Sequence, residues 1–138
     1  MLPTNPLSSL RILVVDDSHD AADFLAQLLE IWGYEAVVSY DGERALDAAS
    51  ANPPDVVLLD LGLPGMDGYE VGSRLRRLPG MNTALVIAIS GYGREGDVQR
   101  CKEAGIDCHY LKPVDPDELK KVLADVVKRR RERRQLKS

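Results

Sequence analysis

The chain has 138 residues, 44% of them hydrophobic and 29% charged, with a formal net charge of −4. That is the size and composition of one globular domain with a core of its own, and it excludes collagen-like, low-complexity and disulfide-stapled chains. The longest apolar runs are too short to span a bilayer; with no signal peptide and no metal-ligand spacing at Cys101 and Cys108, the expectation is a cytoplasmic protein whose two cysteines are small buried hydrophobes.

After an extension over residues 1–9, a first strand is predicted at Arg11–Val15 (RILVV), running into Asp16 and Asp17. Ser18 suits the N-cap of a helix with Phe24, Leu25, Leu28, Leu29 and Trp32 at helical spacing, closed by Gly33. His19 falls in its first turn, and Trp32 reads as core or helix-end packing. Glu35–Tyr40 reads as a second strand, and Asp41 then caps a helix through Ala45, Leu46 and Ala49 that stops before Pro53 and Pro54. A third strand, Val56–Leu59, ends at Asp60; the loop GLPGMDG and a helix with Val71, Leu75 and Leu78 follow. The fourth strand, Ala84–Ile89, ends at Ser90, ahead of a helix with Val98, Cys101 and Ala104 closed by Gly105. The fifth, Cys108–Leu111, ends at Lys112-Pro113, and Asp115 or Asp117 opens a last helix of five turns.

The domain is thus expected over residues 10–127, with 128–138 as a basic tail continuing the last helix. That tail carries seven Lys or Arg and one Glu, a charge of +6, which leaves −10 for residues 1–127. A short basic tail without aromatics is a weak nucleic-acid footprint, so it reads as a frayed, solvated helix end and no nucleic acid is expected.

Five strand–helix units in this order predict an α/β fold: a five-stranded parallel sheet with helices on both faces, doubly wound in the flavodoxin-like manner with strand order 2-1-3-4-5. Continuous apolar runs suit strands buried on both sides. In such sheets the ligand crevice lies beyond the carboxyl ends of the strands. Those ends carry Asp16, Asp17, Asp60, Ser90 and Lys112. Each alone has a bland explanation: a helix cap, a turn, a solvated lysine. Together they would converge on one crevice. Three neighbouring carboxylates repel by roughly 4 kcal/mol per close pair at an effective dielectric near 20, so they either shift their pKa values upward or bind a cation. Oxygen ligands without His or Cys suit Mg2+. With Lys112 as a charge for a phosphate oxygen and Ser90 as a hydroxyl donor, Asp60 is placed to attack phosphorus in line.

Four segments carry a resemblance: LVVDD at Leu13–Asp17, VVLLDLGLPGMDG at Val56–Gly68, IAISGYG at Ile87–Gly93 and YLKPVD at Tyr110–Asp115. In this order and at this spacing they resemble the CheY-like receiver domain of response regulators in two-component systems, over roughly residues 10 to 127. The SGYG and KPVD segments resemble most the receivers of hybrid sensor kinases. The resemblance implies that Asp60 is the phosphoacceptor of a phosphorelay signalling protein that catalyses only its own phosphorylation and dephosphorylation. It implies Mg2+ on Asp17, Asp60 and the backbone carbonyl of Gly62, with Asp16 acting through a metal-bound water. Ser90 and Lys112 would grip the phosphoryl oxygens, and Pro113 would follow a cis peptide bond. The implied donor is a sensor histidine kinase, a histidine phosphotransfer protein or a small acyl phosphate. Output would be phosphorylation-dependent binding of an unnamed target or homodimerisation through the fourth helix, fifth strand and fifth helix. With no output domain in the sequence, a relay or protein-binding role is expected.

Two positions depart from the family. His109 stands where a switch Tyr or Phe is common; either it rotates on phosphorylation together with Ser90, or the switch is muted. Strand alternation sends Tyr110 to the opposite face. Gly62 and Tyr92 occupy positions that tune phosphoryl lifetime, and slow self-hydrolysis is expected.

Three rival readings are weaker. Gly91–Gly96 (GYGREG) matches the dinucleotide fingerprint, but only one strand follows it and it leaves the three aspartates unexplained. A dehalogenase-type phosphatase needs a second Asp two residues after the nucleophile, where Gly62 stands. A receiver-like module that only binds partners would not need the full set of Asp16, Asp17, Asp60, Ser90 and Lys112.

Overall fold

A computed structural model describes residues 10–91 and 95–137. The elements are β1 (Arg11–Val15), α1 (His19–Ile31), β2 (Glu35–Ser39), α2 (Gly42–Ala51), β3 (Val56–Asp60), α3 (Gly68–Arg77), β4 (Leu85–Ser90), α4 (Glu95–Glu103), β5 (Cys108–Leu111) and α5 (Pro116–Lys137). All strand pairs are parallel, in the order β2-β1-β3-β4-β5. The doubly wound α/β fold expected from the sequence is the fold observed.

The strands are nearly pure apolar runs because both faces are covered. Leu13, Val15, Val57, Leu59, Val86 and Ala88 pack into one core with α2, α3 and α4. Ile12, Val14, Val56, Leu58, Ile87 and Ile89 face the other way, against α1 and α5. A one-residue slip would exchange these sets and drive the strand-end groups off the crevice, so burial fixes the register.

Capping sets where the helices begin. The Ser18 hydroxyl accepts from the Ala21 amide, the Asp41 carboxylate from Arg44 N at 2.8 Å and the Asp67 carboxylate from Tyr69 N at 2.8 Å. Asp115 rather than Asp117 opens α5, accepting the Asp117 amide at 2.9 Å.

Four expectations need correction. Strand β2 ends at Ser39, and Tyr40 instead donates its hydroxyl to Asp23 Oδ1 at 2.7 Å and stacks on His19 with centroids 3.7 Å apart. Strand β4 starts one residue later than expected, because Ala84 N closes a turn onto Met81 O and Leu85 N is the first to reach a neighbouring strand segment, at Asp55 O. The buried stripe of α1 is Ala22, Ala26 and Leu29, whereas Phe24 is 68% exposed. The basic stretch is not a purely frayed, solvated end: α5 spans 22 residues, about six turns, and within it Arg130 pairs with Asp55 beside the start of β3. Among the described residues no helix is long and apolar enough to cross a membrane.

Candidate functional site

Strands β1, β3 and β4 and the residue after β5 deliver Asp16, Asp60, Ser90 and Lys112 to one rim of the sheet. Asp60 ends a strand whose five residues are all buried, and it is one of two buried polar or charged side chains among the described residues. Its two carboxylate oxygens are held separately. Oδ1 accepts the Gly62 amide at 2.9 Å, and Oδ2 accepts the Lys112 ammonium at 3.1 Å. Lys112 Nζ also lies 3.8 Å from Asp16 Oδ2.

The ammonium is aimed by backbone. Lys112 N donates to Ser90 O at 2.8 Å, so the β4–β5 ladder extends one step beyond β5, and the Lys112–Pro113 peptide that follows is cis. The loop after Asp60 returns close to the strand. Leu61 N donates to Ile89 O, and at Gly68 a Cβ would lie 2.6 Å from Leu61 Cα. Only glycine fits that approach.

Asp16, Asp17 and Asp60 each offer a carboxylate oxygen within 4.8 Å of the others. Asp16 responds first to its own burial and then to its neighbours. Burial, aided by the charge and hydrogen bonding of Asp60, pushes its carboxyl above the usual range, while the Ser18 amide and Lys112 pull the other way. One ammonium against three carboxylates leaves the cluster net negative. An all-oxygen donor set of this charge fits a hard divalent cation that keeps several waters.

Ser90 and His109 also meet: Ser90 Oγ and His109 Nε2 are 2.8 Å apart. Register explains the contact. Ser90 pairs with Leu111 and Ala88 with His109, so Ser90 and His109 share a face while Tyr110 packs into the opposite core. Tyr92 lies outside the described residues, as do Gly93 and Arg94 of GYGREG.

One feature beside the site escaped sequence reasoning. An apolar hollow of about 570 Å³ runs between α1 and the β5–α5 connection, lined by Phe24, Leu25, Leu28, Ile89 and Pro113, with Asp16 and Lys112 at its edge. The signal was present in the sequence, since Phe24 and Leu28 are one helical turn apart, but it reads as core until alanines are seen to form the buried stripe.

Comparison with known proteins agrees with this geometry. The response regulator receiver domain, as a family, matches residues 12–124. The chain is 36% identical over 110 residues to the sporulation initiation phosphotransferase F of Bacillus subtilis, a match covering 80% of this chain and 87% of that one. It is 39% identical over 125 residues to the sensor histidine kinase RcsC of Salmonella typhi, where the match takes in 91% of this chain but 13% of that protein. The receiver domain of a Pseudomonas aeruginosa PAO1 sensor histidine kinase, crystallised with a magnesium ion coordinated in its active-site cleft, superposes with a TM-score of 0.77 at 27% identity, covering 86% of this chain and 98% of that one.

Proposed function

The chain belongs to the response regulator receiver domain family of two-component systems, and from that premise we propose that it accepts a phosphoryl group on Asp60 from a phosphohistidine donor. The observation that carries this reading is the Asp60 carboxylate itself, buried yet charge-paired at 3.1 Å with Lys112 and flanked by two further carboxylates. A buried acid with an ammonium at one oxygen and a backbone amide at the other is oriented before any donor arrives, and orientation is most of what phosphoryl transfer needs.

In the transfer an Asp60 oxygen forms the new P–O bond as the P–N bond of the donor breaks, and the electron pair leaves with the imidazole nitrogen. Lys112 moves its hydrogen bond from the carboxylate to a phosphoryl oxygen. Ser90 donates its hydroxyl to another. Asp16, Asp17 and Asp60, with the Gly62 carbonyl, would hold Mg2+, which supplies charge neutralisation for the phosphoryl oxygens. Gly62 brings no side chain to position an attacking water, which favours a long-lived acyl phosphate.

The hollow beside Lys112 supports a helical protein donor: its exposed Phe24 and neighbouring leucines offer an apolar seat next to the acceptor. Output is assigned to α4, β5 and α5, where Val98 and Leu111 are 50% and 52% exposed.

The test is mass spectrometry after incubation with acetyl phosphate and Mg2+. One phosphoryl adduct on the wild-type chain, absent in Asp60→Asn and absent in EDTA, is expected. An adduct surviving in Asp60→Asn would overturn the assignment.

A further inference from the structure

At the other end of the sheet, roughly 16 Å from Asp60 at about 3.3 Å per strand residue, lies a second concavity of about 700 Å³. Its wall is built from α3, α4, the starts of β3 and β4, and the basic stretch of α5. Five cationic side chains line it: Arg76, Lys102, Arg129, Arg130 and Arg133. Two carboxylates, Asp55 and Asp107, are among them.

The two carboxylates offset only two of the five cations, and each is further held in place by a strand-start amide. Asp55 accepts the Arg11 amide at 2.8 Å and pairs with Arg130. Asp107 accepts the Val86 amide at 2.8 Å and pairs with Arg76. Arg76 is further committed to the carbonyls of Met81, Ala84 and Gly105. Three cations remain available. Among the described residues Arg129 has one ion pair, its bridge to Asp125, with side chains 73% and 49% exposed, a kind of pair that is easily exchanged. Lys102 and Arg133 are exposed, and no structural carboxylate among the described residues holds them. The floor between the cations is apolar, formed by Leu85, Ile106 and Val126, and Thr83 adds a hydroxyl at the edge.

We propose that this basal groove binds a small anion carrying several phosphates, gripped by Lys102, Arg129 and Arg133. Three reasons favour a small polyphosphate over a macromolecule. The site is concave and of the volume that small-molecule pockets have. Its cations come from three different helices, α3, α4 and α5, and face one hollow rather than forming a stripe along one surface. Arginine forks match phosphate oxygens in pairs. The chain is acidic as a whole, at −4, so the local excess of positive charge is a property of this place and not of the composition. Two sources share this chemistry, a nucleoside triphosphate and inorganic tripolyphosphate; the apolar floor would add affinity only for the first.

The test is calorimetry and amide NMR on the full chain with GTP, tripolyphosphate, guanosine and a polyglutamate peptide. Binding of GTP or tripolyphosphate, with amide shifts at Thr83, Lys102, Gly105 and Asp107, is expected. The double variant Lys102→Glu/Arg133→Glu should bind about tenfold or more weakly with an unchanged melting temperature, since both side chains are exposed. Asp60→Asn should bind like the wild type, which separates this groove from the phosphoacceptor site. Tighter binding of GTP than of tripolyphosphate identifies a nucleotide ligand; equal binding identifies the phosphate chain alone. No binding of either at millimolar concentration, undiminished binding by the double variant, or binding of polyglutamate alone overturns the proposal.

Discussion

Ser90 on β4 and His109 on β5 hold each other through a 2.8 Å contact between Oγ and Nε2. A phenylalanine at position 109 could not make this contact, because it has no ring nitrogen. The hydroxyl expected to serve the phosphoryl group is therefore engaged beforehand, and turning to the phosphoryl oxygen means giving up the imidazole. A net hydrogen bond contributes about 1 kcal/mol, or roughly a fivefold change in equilibrium. Replacing His109 by Phe should accordingly tighten beryllofluoride binding a few-fold, measured by titration of amide NMR shifts in Mg2+, and Ser90→Ala should weaken it. Unchanged or weaker binding by the His109→Phe variant would show that the contact does not restrain Ser90.

If the apolar hollow beside Lys112 seats a protein donor, as proposed, protein donors and small ones should respond differently to its loss. Phe24 is 68% exposed, so its removal leaves the core untouched. Phe24→Ser should slow transfer from a phosphorylated histidine protein by about tenfold, equivalent to about 1.4 kcal/mol of lost contact in the transition state. The rate with acetyl phosphate should stay the same. Equal slowing with both donors would place the effect in the acceptor site itself and not in docking.

Arg76 is predicted to be the most consequential cation for stability. Its guanidinium serves the carbonyls of Met81, Ala84 and Gly105 and the carboxylate of Asp107, tying α3 to the turns before β4 and β5. Truncation to alanine leaves these half-buried acceptors without their donor, at a cost of about 2–4 kcal/mol. Urea unfolding should report a lower midpoint with little change in slope. Arg74→Ala, which removes only an exposed pair with Glu70, should shift it by less than about 0.5 kcal/mol.

Cysteine reactivity should follow pH in a defined way. Burial, and then the negative charge of Asp107, raise the Cys108 thiol above its ordinary value, with Arg129 acting in the opposite direction. A raised pKa means less thiolate at every pH below it. Alkylation of the native chain by iodoacetamide at pH 8 should therefore be slower than in urea, and its rate should keep climbing at pH values where the unfolded chain has levelled off. Cys101, 4% exposed, should react only on unfolding. Fast native labelling of Cys108 at pH 7 would contradict this account.

Much of this molecule is legible in the residues alone, for identifiable reasons. The strands read clearly because a sheet covered on both sides needs unbroken apolar runs, and the acids, hydroxyl and lysine that end them stand out against that background. Asp60 and Lys112 are 52 positions apart in sequence, and only the parallel topology makes them neighbours. What was hidden depends on direction, not type. Phe24 reads as core because helical spacing alone does not say which of two stripes is buried, and Ala22 and Ala26 give little hydrophobic signal. The work of Arg76 is invisible because most of its partners are carbonyls, which every residue has. The basic end of α5 reads as a solvated tail until Arg130 is seen beside Asp55.

Because the Asp60 carboxylate and its ammonium partner Lys112 are carried on either side of β4, and β5 is the outermost strand on its edge of the sheet, the pocket does not exist until that edge has docked. A nascent or partly unravelled chain lacking β5 would possess the nucleophile but not the positive charge that orients it. On the proposed reading, competence to take up a phosphoryl group would double as a certificate of completed assembly, and a cell reading that mark would be reading only finished molecules.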